Sequence, residues 1–77
     1  MEKYLNELQP KEFGIVKKII AEGKMKRRLY DMGVTPGVNI VVKKFAPMGD
    51  PIEITIRGYE LTIRKSEAQT ILMEVKQ

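Results

Sequence analysis

The chain has 77 residues, with 14 Lys and Arg against 10 Asp and Glu for a formal charge of +4, no cysteine and no histidine. So short a sequence builds one hydrophobic core and one domain, and such a core supplies only a few kcal/mol of net stability. The missing histidine removes the side chain most used in general acid–base chemistry and transition-metal ligation, and the missing cysteine removes disulfides and thiolate sites.

The metal donors that remain are carboxylate, thioether and carbonyl oxygen, a set that holds hard ions weakly unless several carboxylates converge. The basic excess is mild, and the positive charges interleave with acidic ones as on a solvated surface. Nucleic acid is therefore not an expected partner. No apolar run approaches a transmembrane helix or a signal-peptide core, so the sequence reads as a cytosolic protein without membrane insertion.

Tyr4, Leu5 and Leu8 form a short apolar cluster ended by Pro10, which predicts one turn of irregular or helical chain. Phe13 to Ala21 reads as a strand, and its adjacent apolar pairs, Ile15–Val16 and Ile19–Ile20, predict a bend or bulge. Over Lys24 to Met32 the period changes: Met25, Leu29 and Met32 form one helical stripe, with Lys24, Lys26, Arg27, Arg28 and Asp31 outside it. Gly33 follows where a left-handed residue ends a helix, and Pro36 forbids continuation.

From Val38 the period returns to two through Ile40 and Val42, and the strand fades at Phe45 and Ala46. Pro47 to Pro51 is a turn. Ile52, Ile54 and Ile56, then Tyr59, Leu61 and Ile63, flank Arg57–Gly58, which predicts a hairpin pairing Ile56 with Tyr59, Ile54 with Leu61 and Ile52 with Ile63. Ser66 with Gln69 reads as a capping box opening one helical turn, and Ile71 to Val75 as the last strand. The expected core is Ile15, Leu29, Ile40, Val42, Ile52, Ile54, Ile56, Leu61 and Ile63.

About five short strands, one inserted helix and a C-terminal helical turn predict a small all-β fold. An SH3-like antiparallel barrel is the natural candidate and an OB-fold the second.

The sequence offers no catalytic constellation. Asp31, Asp50, Glu53 and Glu60 are scattered over a helix, a turn and a hairpin face, and the glycines fit turns rather than a phosphate-cradling loop. Ser66 serves better as a cap than as a nucleophile. On the helix, Arg27 and Arg28 stand at i−4 and i−3 from Asp31 and can reach it. With Lys24 and Lys26 they form the densest positive run, either a solvated face with weak ion pairs or a basic patch for an acidic partner, nucleic acid included. Met48, at the tip of a polar turn, is either incidental or part of a binding surface.

Two stretches carry a resemblance. Arg27-Arg28-Leu29-Tyr30-Asp31-Met32-Gly33-Val34-Thr35-Pro36-Gly37 and Ala46-Pro47-Met48-Gly49-Asp50-Pro51 resemble the FeoA pattern: paired arginines, Leu, Asp-Met-Gly and a Pro-Gly turn, followed by an Ala-Pro-x-Gly-Asp-Pro turn. Gly58, the Leu61 to Arg64 strand and Glu67-Ala68 match further, so that the resemblance runs from Leu8 to about Val75. Lys11 departs from it, standing where members often carry Gly, which affects turn geometry only.

The resemblance implies an SH3-like domain that assists ferrous iron uptake by binding the membrane transporter FeoB on its cytosolic side. The alternative it implies is a regulatory or nucleic-acid-binding module akin to the C-terminal domain of DtxR-type repressors. It also implies transition-metal binding, which a chain without Cys or His can supply only weakly; no cofactor and no tight Fe(II) site are expected. The expected partner surface is Arg27, Arg28 and Asp31 on the helix with Met48, Gly49 and Asp50 in the turn. The oligomeric state is left open.

Overall fold

The isoleucine-rich hairpin forms as its alternation predicts. In a computed structural model that describes residues 1–76, β4 (Ile52–Ile56) and β5 (Tyr59–Ile63) pair antiparallel with Ile52 opposite Ile63, Ile54 opposite Leu61 and Ile56 opposite Tyr59. Arg57 and Gly58 both have positive φ, 51° and 85°, the primed turn whose twist matches that of the flanking strands. Ile52, Ile54, Ile56 and Ile63 are buried, whereas Leu61 is half-buried and packs against the core from its rim.

Around this hairpin the other strands are β1 (Glu2–Tyr4), β2 (Phe13–Ile19), β3 (Asn39–Phe45) and β6 (Ile71–Lys76), in the order β1-β6-β2-β3-β4-β5. All pairings are antiparallel. The sheet thus has six strands, not about five. β1 is an edge segment of three residues, Glu2, Lys3 and Tyr4, whose one strand partner among the described residues is β6, and so short a run shows no alternation to read. The turn expected near Tyr4 to Leu8 is present just after it, as a 3-10 turn over Leu5–Glu7.

Two register shifts, between Val16 and Lys18 and between Val42 and Lys44, bend β2 and β3. The first is the expected bulge, and such bulges tighten the curl of a sheet. The molecule measures 28 × 25 × 22 Å, whereas a single flat sheet layer is only about 10 Å thick. The sheet is therefore rolled around one apolar core. Lys11, at the turn into β2, has φ 76°, the left-handed conformation that favours glycine, and donates its N–H to the Val42 carbonyl at 2.7 Å.

The helix α1 spans Gly23–Asp31 and ends in a Schellman motif. The Gly33 N–H donates to the Tyr30 carbonyl at 3.0 Å and the Val34 N–H to Leu29 at 2.9 Å, with Gly33 at φ 90°. Leu29 and Val34, the positions whose apolar side chains accompany this motif, are both fully buried in the core. The Tyr59 hydroxyl donates to the Met32 carbonyl at 3.2 Å, tying the helix end to β5.

The second helix, α2, spans Lys65–Ala68, and its cap differs from the expected Ser66–Gln69 box. Arg64 is the capping residue, and its backbone N–H donates to Glu67 Oε1 at 2.9 Å. The same device recurs at Tyr4–Glu7 and Gln9–Glu12, at 2.8 and 2.7 Å. What closes these turns is a carboxylate three residues after a free N–H, whether or not the first residue is Ser or Thr.

The core corrects one expected member. Ile15 is 37% exposed, because Gly14 and Val16 take the inward positions of β2 and the bulge then turns Ile19 inward. Leu5, Leu8, Val16, Val34, Ile71 and Met73 join the interior from elements whose short runs carry little periodicity. Ile54, fully buried in β4, and Leu61, its half-buried partner across the hairpin, separate packing from propensity. In urea denaturation, Ile54→Ala is expected to cost about 3–5 kcal/mol and Leu61→Ala about 2 kcal/mol or less. Equal losses would show that the hairpin rim is as dry as its centre.

Candidate partner-binding site

The two stretches singled out in the sequence meet at α2. Glu67 is the one charged residue buried among those described, at 4% exposure. One of its carboxylate oxygens accepts the Arg64 N–H, and the other takes Arg28 Nε from α1 at 3.0 Å. Its backbone carbonyl accepts the Thr70 hydroxyl at 2.7 Å. Two residues earlier, the Lys65 N–H donates to Asp50 Oδ1 in the 46–51 turn at 2.9 Å. The short helix is thus a clamp, with α1 fixed to one of its residues and the turn to another.

This geometry sorts the six candidates. Arg28 and Asp50 hold α1 and the turn in place. Gly49, at φ 85°, donates its N–H to Ala46 at 2.7 Å and closes the turn, whose Asp50–Pro51 peptide is cis. Arg27, Asp31 and Met48 project into solvent, Met48 at 91% exposure. The expected bonds of Arg27 and Arg28 to Asp31 do not form: Arg28 turns to Glu67, and neither Arg27 nor Asp31 has an ion pair among the described residues. A buried carboxylate attracts a guanidinium more strongly than an exposed one screened by water. The sequence reading did not pair Glu67 with Arg28 because the two lie far apart in the chain and only the fold buries this carboxylate.

Elsewhere on the surface several charges are paired, Lys3 with Glu12 and Lys44 with Glu53 among them. Glu2 and Glu60, hydrogen-bonded to Lys17 and Lys43, hold those ammonium groups above the ordinary lysine range. The N-terminal amine beside Glu74 holds that carboxyl below the usual carboxylate range. Among the described residues no three His, Cys, Asp or Glu side chains converge as a metal site would require, and no helix is long and apolar enough to cross a membrane.

The FeoA domain model matches residues 3–75, nearly the whole chain. The chain belongs to the FeoA domain family. A solution structure of a FeoA-like protein from Clostridium acetobutylicum superposes with a TM-score of 0.92 at 45% identity, covering 99% of this chain and 88% of that one. The FeoA of Stenotrophomonas maltophilia, described as a prokaryotic SH3 domain protein, shares the fold with a TM-score of 0.78 at 23% identity, over 96% of this chain and 89% of that one. The rolled six-stranded sheet is therefore SH3-like. Among curated proteins, this FeoA domain is 28% identical over 71 residues to a fusion of Fe(2+) transport protein A with the Fe(2+) transporter FeoB in Porphyromonas gingivalis. The match covers 92% of the chain but only 8% of the fusion protein.

Proposed function

We propose that this FeoA domain is a non-enzymatic accessory of ferrous iron uptake that binds the cytosolic part of a FeoB-type transporter. The observation that carries the reading is the Porphyromonas gingivalis fusion, in which a domain of this kind and FeoB are one polypeptide. Covalent linkage raises the effective concentration of one module at the other, which matters only when the two act together. Fe(II) is then the transporter's substrate, and this chain is its protein partner.

The docking surface in this reading is the solvent side of the α2 clamp. Arg27, Asp31 and Met48 make the contacts, while Arg28, Gly49 and Asp50 hold them in position. An arginine engages a carboxylate bidentately, and a flexible thioether adapts to an apolar pocket. The test uses Arg27→Glu and Met48→Ala. Neither side chain is buried, so both variants should melt with the wild type. Each should bind the transporter's soluble domain about tenfold more weakly, as expected for losing a contact worth ~1.4 kcal/mol, and should lower iron uptake in cells. Normal capture by folded variants would overturn this surface, and unfolding would show that the residues are structural.

A further inference from the structure

We propose that the outward face of α1 is a recognition surface for an acidic segment of a protein partner, with Lys24, Lys26, Arg27 and Tyr30 as its contacts. The inference rests on the reading of this chain as a protein-binding accessory and names the chemistry that it recognises. Its starting point is a local rule that α1 breaks. The N-terminal end of a helix carries partial positive charge and favours acidic side chains. Here the first turn holds Lys24 and Lys26 and no acidic residue, and the N-cap residue, Glu22, makes no side-chain cap. Arg27 follows directly.

These cations are not compensated from outside the helix. Six ion pairs among the described residues engage Glu2, Glu12, Glu53, Glu60, Glu67 and Glu74, and none reaches Lys24, Lys26 or Arg27. Repulsion that folding does not offset, in a domain of marginal stability, points to use at a site rather than to folding.

The second observation is shape. Gly23, Lys26, Arg27 and Tyr30 line a shallow depression on this face. Tyr30 is 42% exposed, and Lys26 Nζ lies 5.8 Å from its ring centre. Gly23 leaves the floor open, since even an added Cβ there would meet nothing within 4 Å. A ring wall beside two cations, with Lys24 next to Gly23 in the chain, takes a carboxylate together with an adjoining aliphatic side chain. Nucleic acid is the poorer fit. Four of the sheet lysines, Lys3, Lys17, Lys43 and Lys44, are held in ion pairs with glutamates, and Tyr30 is the one aromatic side chain in the depression, a poor base-stacking platform.

The experiment measures fluorescence anisotropy of a labelled peptide of mixed Glu and Leu against the full chain. A single-stranded oligonucleotide and phosphatidylglycerol vesicles serve as rival probes. The wild type should bind the peptide, more weakly as salt rises, and in preference to either rival. Lys24→Glu with Lys26→Glu should weaken peptide binding by about tenfold or more while raising Tm, because acidic residues suit that helix end. Tyr30→Ala should weaken binding with Tm unchanged. The inference is overturned if the wild type ignores the peptide, prefers a rival probe, or binds equally well after the double substitution. Capture of the transporter's soluble domain, measured in parallel, separates the two readings. Capture that persists in the double variant leaves the proposed function standing and removes this face from it. Peptide binding by a wild type that captures no transporter overturns the proposed function alone.

Discussion

Replacing Gly14 by alanine is expected to leave this domain largely unfolded at room temperature. Gly14 sits in β2 between Ile40 of β3 and Val75 of β6, in the middle of the sheet. A Cβ there would lie 2.3 Å from the Glu74 carbonyl oxygen, 2.9 Å from its carbon and 3.0 Å from the Val75 Cα. All three obstacles are backbone, so no side chain can swing away, and β6 must move from β2 as a strand. Overpacking costs about 1–3 kcal/mol when side chains give way. With backbone as the obstacle we expect about 3 kcal/mol or more, comparable to the whole net stability that a core of this size supplies.

Gly58→Ala is the control. That position has φ 85° but open space around it, so the loss there is only left-handed strain of about 1–2 kcal/mol. Far-UV circular dichroism and thermal melting of the two variants decide the matter. A Gly14→Ala protein that melts with Gly58→Ala would show that β6 yields easily.

The second large effect is expected at Glu67. Glu67→Ala removes at once the acceptor of the Arg64 N–H and the partner of Arg28, by deleting a carboxylate that is itself buried. Because the Arg28 side chain is 57% exposed and rehydrates, the loss is dominated by the orphaned N–H and the vacated space, about 2–4 kcal/mol in all. Glu67→Gln keeps the acceptor and loses the charge, so it should cost about 1 kcal/mol. Arg28→Ala leaves a buried carboxylate with only its backbone bond, and about 1–3 kcal/mol is expected. Urea denaturation of the singles and the double gives the coupling between the two residues. Additive losses would mean that Arg28 does not brace α1 through Glu67.

This clamp also bears on function. The residues proposed to meet the partner, Arg27 and Met48, lie on α1 and on the 46–51 turn, and both elements are fixed to α2. Loosening Glu67 should therefore weaken partner capture even at temperatures where the variant is folded.

The sequence by itself determined the elements whose periodicity is unambiguous. Strict alternation through Ile52, Ile54 and Ile56, with Arg57–Gly58 after it, set the hairpin register, since a slip of one residue would turn every isoleucine to solvent. The stripe of Met25, Leu29 and Met32 with Gly33 beyond it set α1 and its end. The ordered spacing of the Arg-Arg and Gly-Asp-Pro stretches was enough to reveal the family.

Only the tertiary structure decided three other matters. It turned Ile15 outward, because two adjacent apolar residues cannot both face inward on a strand, and the close approach of β6 at Gly14 chose between them. It made a strand of Glu2–Tyr4, which has no pattern of its own and exists by pairing with β6. And it sent Arg28 to Glu67 rather than to Asp31. Residues thirty-nine positions apart cannot be paired from spacing, and a carboxylate becomes the stronger attractor only when the fold removes it from water.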